Sequence, residues 1–78
     1  MSENHKEVQL DLSGLLCPLP VLKARKRLNA MASGDFLIVK ATDPMAAIDI
    51  PHFCTEQGHA LEEQAREGET FIFRIRRK

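Results

Sequence analysis

Residues 13–21 read Ser13-Gly14-Leu15-Leu16-Cys17-Pro18-Leu19-Pro20-Val21, and this stretch turns a strand into a helix. On its N-terminal side Val8, Leu10 and Leu12 alternate with Gln9 and Asp11, the two-residue period of a half-buried strand. Ser13-Gly14 breaks the alternation. On its C-terminal side the period lengthens. Over residues 18–32, Val21, Ala24, Leu28, Met31 and Ala32 share one helical face, with Lys23, Lys26 and Arg27 opposite. Pro18 and Pro20 fit a first helical turn, whose N–H groups have no intrahelical acceptor. Ser33-Gly34 ends the segment, with Gly34 suited to a left-handed C-cap.

Further along, residues 36–41 form a mostly apolar run, the pattern of a central strand. Asp43-Pro44 predicts a helix start, with Asp43 at the N-cap and Pro44 at the first helical position. Ala47, Ile50 and Cys54 then share a face. Pro51 falls inside this helix and predicts a kink or restart, which Asp49 is placed to cap. Gly58 ends it. Residues 60–66 are polar enough for an edge strand, and Glu67-Gly68 supplies a turn. Phe71, Phe73 and Ile75 alternate with Ile72, Arg74 and Arg76 in a last strand. The order βαβαββ predicts an α+β fold: a two-layer α/β sandwich whose four-stranded mixed sheet carries both helices on one face. The first two strands are expected parallel through a right-handed crossover, the last two as an antiparallel hairpin. Residues 1–7 are expected to be a flexible tail and residues 8–78 a single domain.

A chain of 78 residues supports one domain of modest stability with little room for a deep cavity. Its chemistry is therefore expected at the surface, borrowing groups from a partner. With 11 basic and 11 acidic residues the formal charge is +0, which argues against bulk electrostatic binding of nucleic acid. No stretch reaches the roughly 18 apolar residues of a transmembrane helix. The polar first seven residues do not resemble a secretory signal, so a cytoplasmic protein is expected. The two cysteines, Cys17 and Cys54, are too few for a disulfide-stapled secreted domain.

Cys17 is the residue with a chemical reading. It precedes Pro18 at a strand-to-helix corner, where the helix N-terminus favours an anion and would lower a thiol pKa. The Leu19 N–H, between the two prolines, is free to point back toward the sulfur, and Lys23, Arg25, Lys26 and Arg27 add positive potential. The alternative is a small buried cysteine filling a tight corner, and spacing alone leaves both open. Cys54, in phase with Ala47 and Ile50, reads as core. His52, Cys54 and His59 match no common zinc spacing, and no metal or organic cofactor is expected. Asp43 reads as a cap; Asp49 reads as a cap or as part of a partner surface. Arg74, Arg76, Arg77 and Lys78 make a basic end, either a solvated edge strand or a docking surface for an acidic partner or RNA. A thiol oxidoreductase would need a second nearby thiol, as in Cys-x-x-Cys, which this chain lacks.

The residues Leu10-Asp11, Gly14-Leu15, Cys17-Pro18-Leu19-Pro20-Val21, Leu28, Met31, Gly34, Asp43-Pro44, Asp49-Ile50-Pro51, Phe53-Cys54, Gly58-His59 and Phe73-Arg74-Ile75 resemble the TusA/SirA-like sulfur carrier family, over about residues 10 to 78. The Cys-Pro-x-Pro segment is that family's signature. The resemblance implies the same βαβαββ sandwich. It also implies a sulfurtransferase that accepts a persulfide sulfur from a cysteine desulfurase or rhodanese and hands it to a downstream sulfur-relay protein. Implied destinations are 2-thiouridine in tRNA, sulfur oxidation, molybdenum-cofactor supply or selenium metabolism. On this chain Cys17 would carry the sulfur, and Pro18, Leu19 and Pro20 would shape its turn. Lys23, Arg25, Lys26, Arg27, Asp43 and Asp49 are candidates for partner contact. The expected form is a monomer with transient partners. The rival from another class is a binding or regulatory module whose Cys17 never carries sulfur.

Overall fold

The computed structural model describes residues 5–78. Its elements run β1 (Glu7–Leu12), α1 (Leu19–Asn29), β2 (Phe36–Ala41), α2 (Ala46–Gln57), β3 (Ala60–Glu67) and β4 (Thr70–Arg76). The sheet order is β1-β2-β4-β3, with β1 and β2 parallel and the other two pairings antiparallel. The expected βαβαββ sandwich with a mixed four-stranded sheet is therefore present.

Strand alternation builds the core. Leu37, Val39 and Ala41 of β2 stand on one face, in register with Val8, Leu10 and Leu12 of β1 on one side and with Ile75, Phe73 and Phe71 of β4 on the other. Ala24 and Leu28 of α1, and Ala46, Ile50, Phe53 and Cys54 of α2, pack into the same cluster, so both helices cover this face. The sequence marks β2 as central because Phe36 and Ile38, on its opposite face, are apolar and half-buried as well. In β3 the residues after Leu61 are exposed, as an edge strand requires.

Several expectations need correction. Residues 1–4 of the expected tail lie outside the described residues, but Glu7 belongs to β1. Lys6 is also tied down: its N–H bonds the Asp35 carboxylate at 3.0 Å, and its carbonyl accepts from Phe36 N–H at 2.8 Å. Helix α1 stops at Asn29 with Ala30 as C-cap, so Gly34 is not its cap. Gly34 instead takes φ +90° in the loop before β2, where its N–H bonds the Arg77 carbonyl at 2.8 Å. Pro51 neither breaks nor restarts α2, which runs unbroken to a left-handed Gly58. The proline forfeits one backbone bond, to the Ala47 carbonyl, and burial of Ile50, Phe53 and Cys54 offsets it. Strand β4 is interior, not an edge, and its arginines have partners. Arg74 pairs with Glu7 and stacks 4.0 Å over the Phe36 ring; Arg76 reaches Glu62 at 3.4 Å; Arg77 Nε donates to the Leu28 carbonyl at 2.6 Å. The basic end is thus engaged with its own chain.

Among the described residues no helix is long and apolar enough to cross a membrane. Phe73 is fully buried at the centre of the core. Phe73→Ala should lower unfolding free energy by about 3–5 kcal/mol, measured by urea denaturation.

Candidate functional site

Parallel pairing of β1 with β2 sets Leu12 beside Ala41, so the two strands end together and their following loops meet. The first loop is held locally by Asp11, whose Oδ1 accepts from Ser13 N–H at 3.0 Å and Ser13 Oγ at 2.6 Å. Two bonds then join the loops. Gly14 N–H donates to Thr42 Oγ1 at 2.9 Å, and Cys17 N–H donates to Asp43 Oδ2 at 2.6 Å. The other Asp43 oxygen accepts from Met45 N–H at 3.1 Å. Asp43, only 8% exposed, thus clamps Cys17 to the start of α2. Its expected capping role is partly met, but Met45 is the N-cap of α2, and Pro44 lies in the preceding turn.

Cys17 is exposed and Cys54 is buried; both are free. The Cys17–Pro18 peptide bond is cis. Pro18 is the N-cap of α1, so the helix begins one residue later than expected, and Pro20 falls in the first turn with its side chain buried. The Leu19 N–H does not face the sulfur: it donates to the Leu16 carbonyl at 2.9 Å, closing the turn.

The electrostatic expectation is reversed. The Cys17 thiol pKa is raised from its ordinary value, first by a side-chain hydrogen bond with Asp49, then by desolvation and the negative charges of Asp49 and Asp43. The full charges of nearby carboxylates outweigh the fractional charge of a helix end. Asp49 lines the same groove as Cys17, and α2 runs without a restart for it to cap.

Asp49, His52, Phe53 and Glu56 of α2 face Val21 and Arg25 of α1 across a groove of about 330 Å³, whose lining includes Cys17. His52 Nε2 and Glu56 lie 3.3 Å apart along α2. Of the four basic residues named from sequence, the structure brings Arg25 into this groove. Lys23, Lys26 and Arg27 lie instead around a depression beside Leu10, over the β1 side of α1. His52 and Glu56 were not legible as site residues; their spacing of three and seven from Asp49 is the signal that the Asp49 stripe continues. Also unmarked by sequence were Leu16, Leu19, Leu22, Met45 and Ile48, large apolar side chains left exposed. They sit out of phase with the core positions, in the loop bearing Cys17 and at the first turns of the two helices.

A family described as sulfurtransferase TusA matches residues 8–77. The chain belongs to this family. A sulfur carrier protein TusA of Allochromatium vinosum is 49% identical over 69 residues, covering 88% of this chain and 91% of its own. Another, of Pseudomonas putida, is 40% identical over 78 residues, covering 100% and 98%. In fold the chain is similar to a SirA-like protein from Desulfitobacterium hafniense, with TM-score 0.79 at 20% identity over 88% of this chain and 95% of that one. Membership of the TusA family gives the chain a sulfur-carrier role, which implies a donor and an acceptor.

Within this TusA-family chain the two thiols are chemically unlike. Burial pushes the Cys54 thiol up to about 11 and encloses it between α2 and the sheet. Iodoacetamide should modify Cys17 in the folded protein and leave Cys54 unmodified until denaturant is added, as read by peptide mass spectrometry.

Proposed function

We propose that this chain accepts a sulfur atom on Cys17 as a persulfide, from a cysteine desulfurase or a rhodanese, and passes it to a downstream relay protein. The destination is tRNA 2-thiouridine synthesis or sulfur oxidation. The observation that carries this is the contrast between an exposed Cys17 on the Cys-Pro-x-Pro corner and a buried Cys54. A sulfur carrier needs one sulfur that a partner can reach, and this chain has one among its two cysteines.

The chemistry is thiol–persulfide exchange. The Cys17 thiolate attacks the outer sulfur of the donor's persulfide; a new S–S bond forms on Cys17 Sγ and the donor's S–S bond breaks. The electron pair leaves on the donor's cysteine sulfur, which takes up a proton. Transfer onward repeats the step with an acceptor thiolate attacking the outer sulfur on Cys17. Pro18, Leu19 and Pro20 hold the corner, and Asp43 fixes its backbone. The exchange draws on no resident metal or organic cofactor. Two reduced cysteines accord with a cytoplasmic setting.

Partner contact is supported by the apolar residues around the corner. Leu16 and Ile48 are 67% and 64% exposed, more than a soluble domain gains from leaving such side chains in water. Arg25 and Asp49 line the groove beside them and would set the polarity of the contact. Lys23, Lys26 and Arg27 would act at its periphery.

The test is intact-mass spectrometry after incubation with a cysteine desulfurase and cysteine. Wild-type protein and Cys54→Ser should each gain about one sulfur atom, removed by reductant, whereas Cys17→Ser should gain none. Absence of any gain with both desulfurase and persulfide donors would favour a binding or regulatory module in which Cys17 carries nothing.

A further inference from the structure

The two edges of the sheet are unlike. Strand β3, at one edge, has a register shift between Leu61 and Glu63, and its exposed residues include Glu62, Glu63, Arg66 and Glu67. A bulge and a run of charge are the usual guards of an open edge. Strand β1, at the other edge, pairs with β2 in unbroken register from Glu7 to Leu12, and among the described residues no strand lies beyond it. Its two charged residues are taken up elsewhere, Glu7 by Arg74 and Asp11 by Ser13. The Lys6 carbonyl accepts from Phe36 N–H of β2. The N–H and C=O of one strand residue point to the same side, and that side alternates along the strand. Val8 and Leu10 therefore bond toward β2, and the backbone groups of Glu7, Gln9 and Asp11 point outward at the free edge.

Beside this edge lies a cleft under the flank of α1 turned away from Val21, Arg25 and the Cys17 groove. Two depressions, of about 460 and 260 Å³, share Arg27 and Ala30 and so join. Half-buried Val8, Leu10 and Met31 give the cleft an apolar floor, and exposed Lys6, Lys23, Lys26 and Arg27 give it a cationic rim. Among the described residues none of these four cations is in a salt bridge, unlike Arg74 and Arg76. The one carboxylate in the lining, Asp35, is buried and accepts the N–H groups of Lys6 and Ala32. In a chain of formal charge +0 this is a local excess of positive charge. No lining residue is aromatic, so the cleft has no platform on which a base could stack.

We propose that this cleft docks an extended acidic segment of a partner protein, which adds to the free edge of β1 as a further strand. The outward N–H and C=O groups of Glu7, Gln9 and Asp11 supply the main-chain pairing. Every second side chain of the added strand faces the cleft, where carboxylates meet Lys6, Lys23, Lys26 and Arg27 over the apolar floor. Cys17 lines the groove on the other flank of α1, so a partner held here leaves that groove open.

The test is a nuclear magnetic resonance titration of the isotope-labelled full chain with a peptide of about eight residues alternating glutamate and threonine, long enough to flank β1. Saturable shifts are expected at the amides of β1 and of Lys23, Lys26 and Arg27, with slowed hydrogen exchange at Gln9, whose N–H the added strand takes up. Lys26→Glu combined with Arg27→Glu, both at exposed positions, should weaken binding about tenfold or more. Arg66→Glu, a charge reversal at the opposite edge, should leave it in place, and raised salt should weaken it in the wild type. The proposal is overturned by the absence of saturable shifts, by shifts without slowed exchange at Gln9, or by equal affinity for a peptide alternating lysine and threonine. Tighter binding of single-stranded oligouridylate would also overturn it, making the cleft a site for a phosphate backbone. The titration involves no sulfur, so its outcome and that of sulfur loading on Cys17 are independent.

Discussion

The reactive corner depends on one carboxylate. Asp43 accepts the Cys17 N–H with one oxygen and the Met45 N–H with the other, from a position almost closed to solvent. Hydrogen bonds to charged groups contribute about 1.5–3 kcal/mol net, more than most neutral ones. The bond spans two loops that the parallel β1–β2 pairing has already brought together, and Gly14 to Thr42 adds a second tie between them. This is the position at which parallel-stranded folds generally gather their functional loops, beyond the carboxyl ends of adjacent strands. Without the clamp, Cys17 would sit in a turn secured by local bonds such as Leu19 N–H to the Leu16 carbonyl.

A second consequence is electrostatic. A cysteine before a helix is ordinarily activated by that helix, and α1 has no acidic residue in its first turn to oppose this. The opposition comes from α2 and the loop before it. Asp43 holds the Cys17 backbone, Asp49 lines the groove beside it, and their negative charges raise the Cys17 thiol pKa. Asp43, which shapes the corner, is thus also one of the charges that oppose the helix end. The sulfur is exposed, and the charges around it favour its protonated form.

How much of this was legible depended on the range of the interaction. The strands were readable because each carries its own period. Leu37, Val39 and Ala41 point one way, and the exposed residues of β3 mark an edge, whatever the rest of the chain does. The helices were readable for the same reason, but their ends were not. Pro18 became a cap because Leu16 closes the turn beneath Leu19, and α1 stopped early because Asp35 bonds the Ala32 N–H at 3.1 Å to form the next loop. Cys17 stood out through Cys-Pro-x-Pro. The place of Asp49 in the groove did not, since it depends on how α2 is turned relative to α1. That rotation is set by Ile50, Phe53 and Cys54 in a core assembled from all four strands and both helices. The basic end illustrates the opposite error. Its charges looked available in the sequence, but Glu7, Glu62 and the Leu28 carbonyl are distant in the chain and near in the fold.

The claim that Asp43 positions the corner is tested most directly by amide hydrogen exchange at Cys17, followed by nuclear magnetic resonance in wild-type protein and in Asp43→Ala. The account predicts that the Cys17 amide is protected in the wild type and loses that protection in the variant, while the amides of β2 and β4 keep theirs. Equal protection of the Cys17 amide in both proteins would contradict it, because the bond that holds Cys17 to α2 would then not be the one made by Asp43.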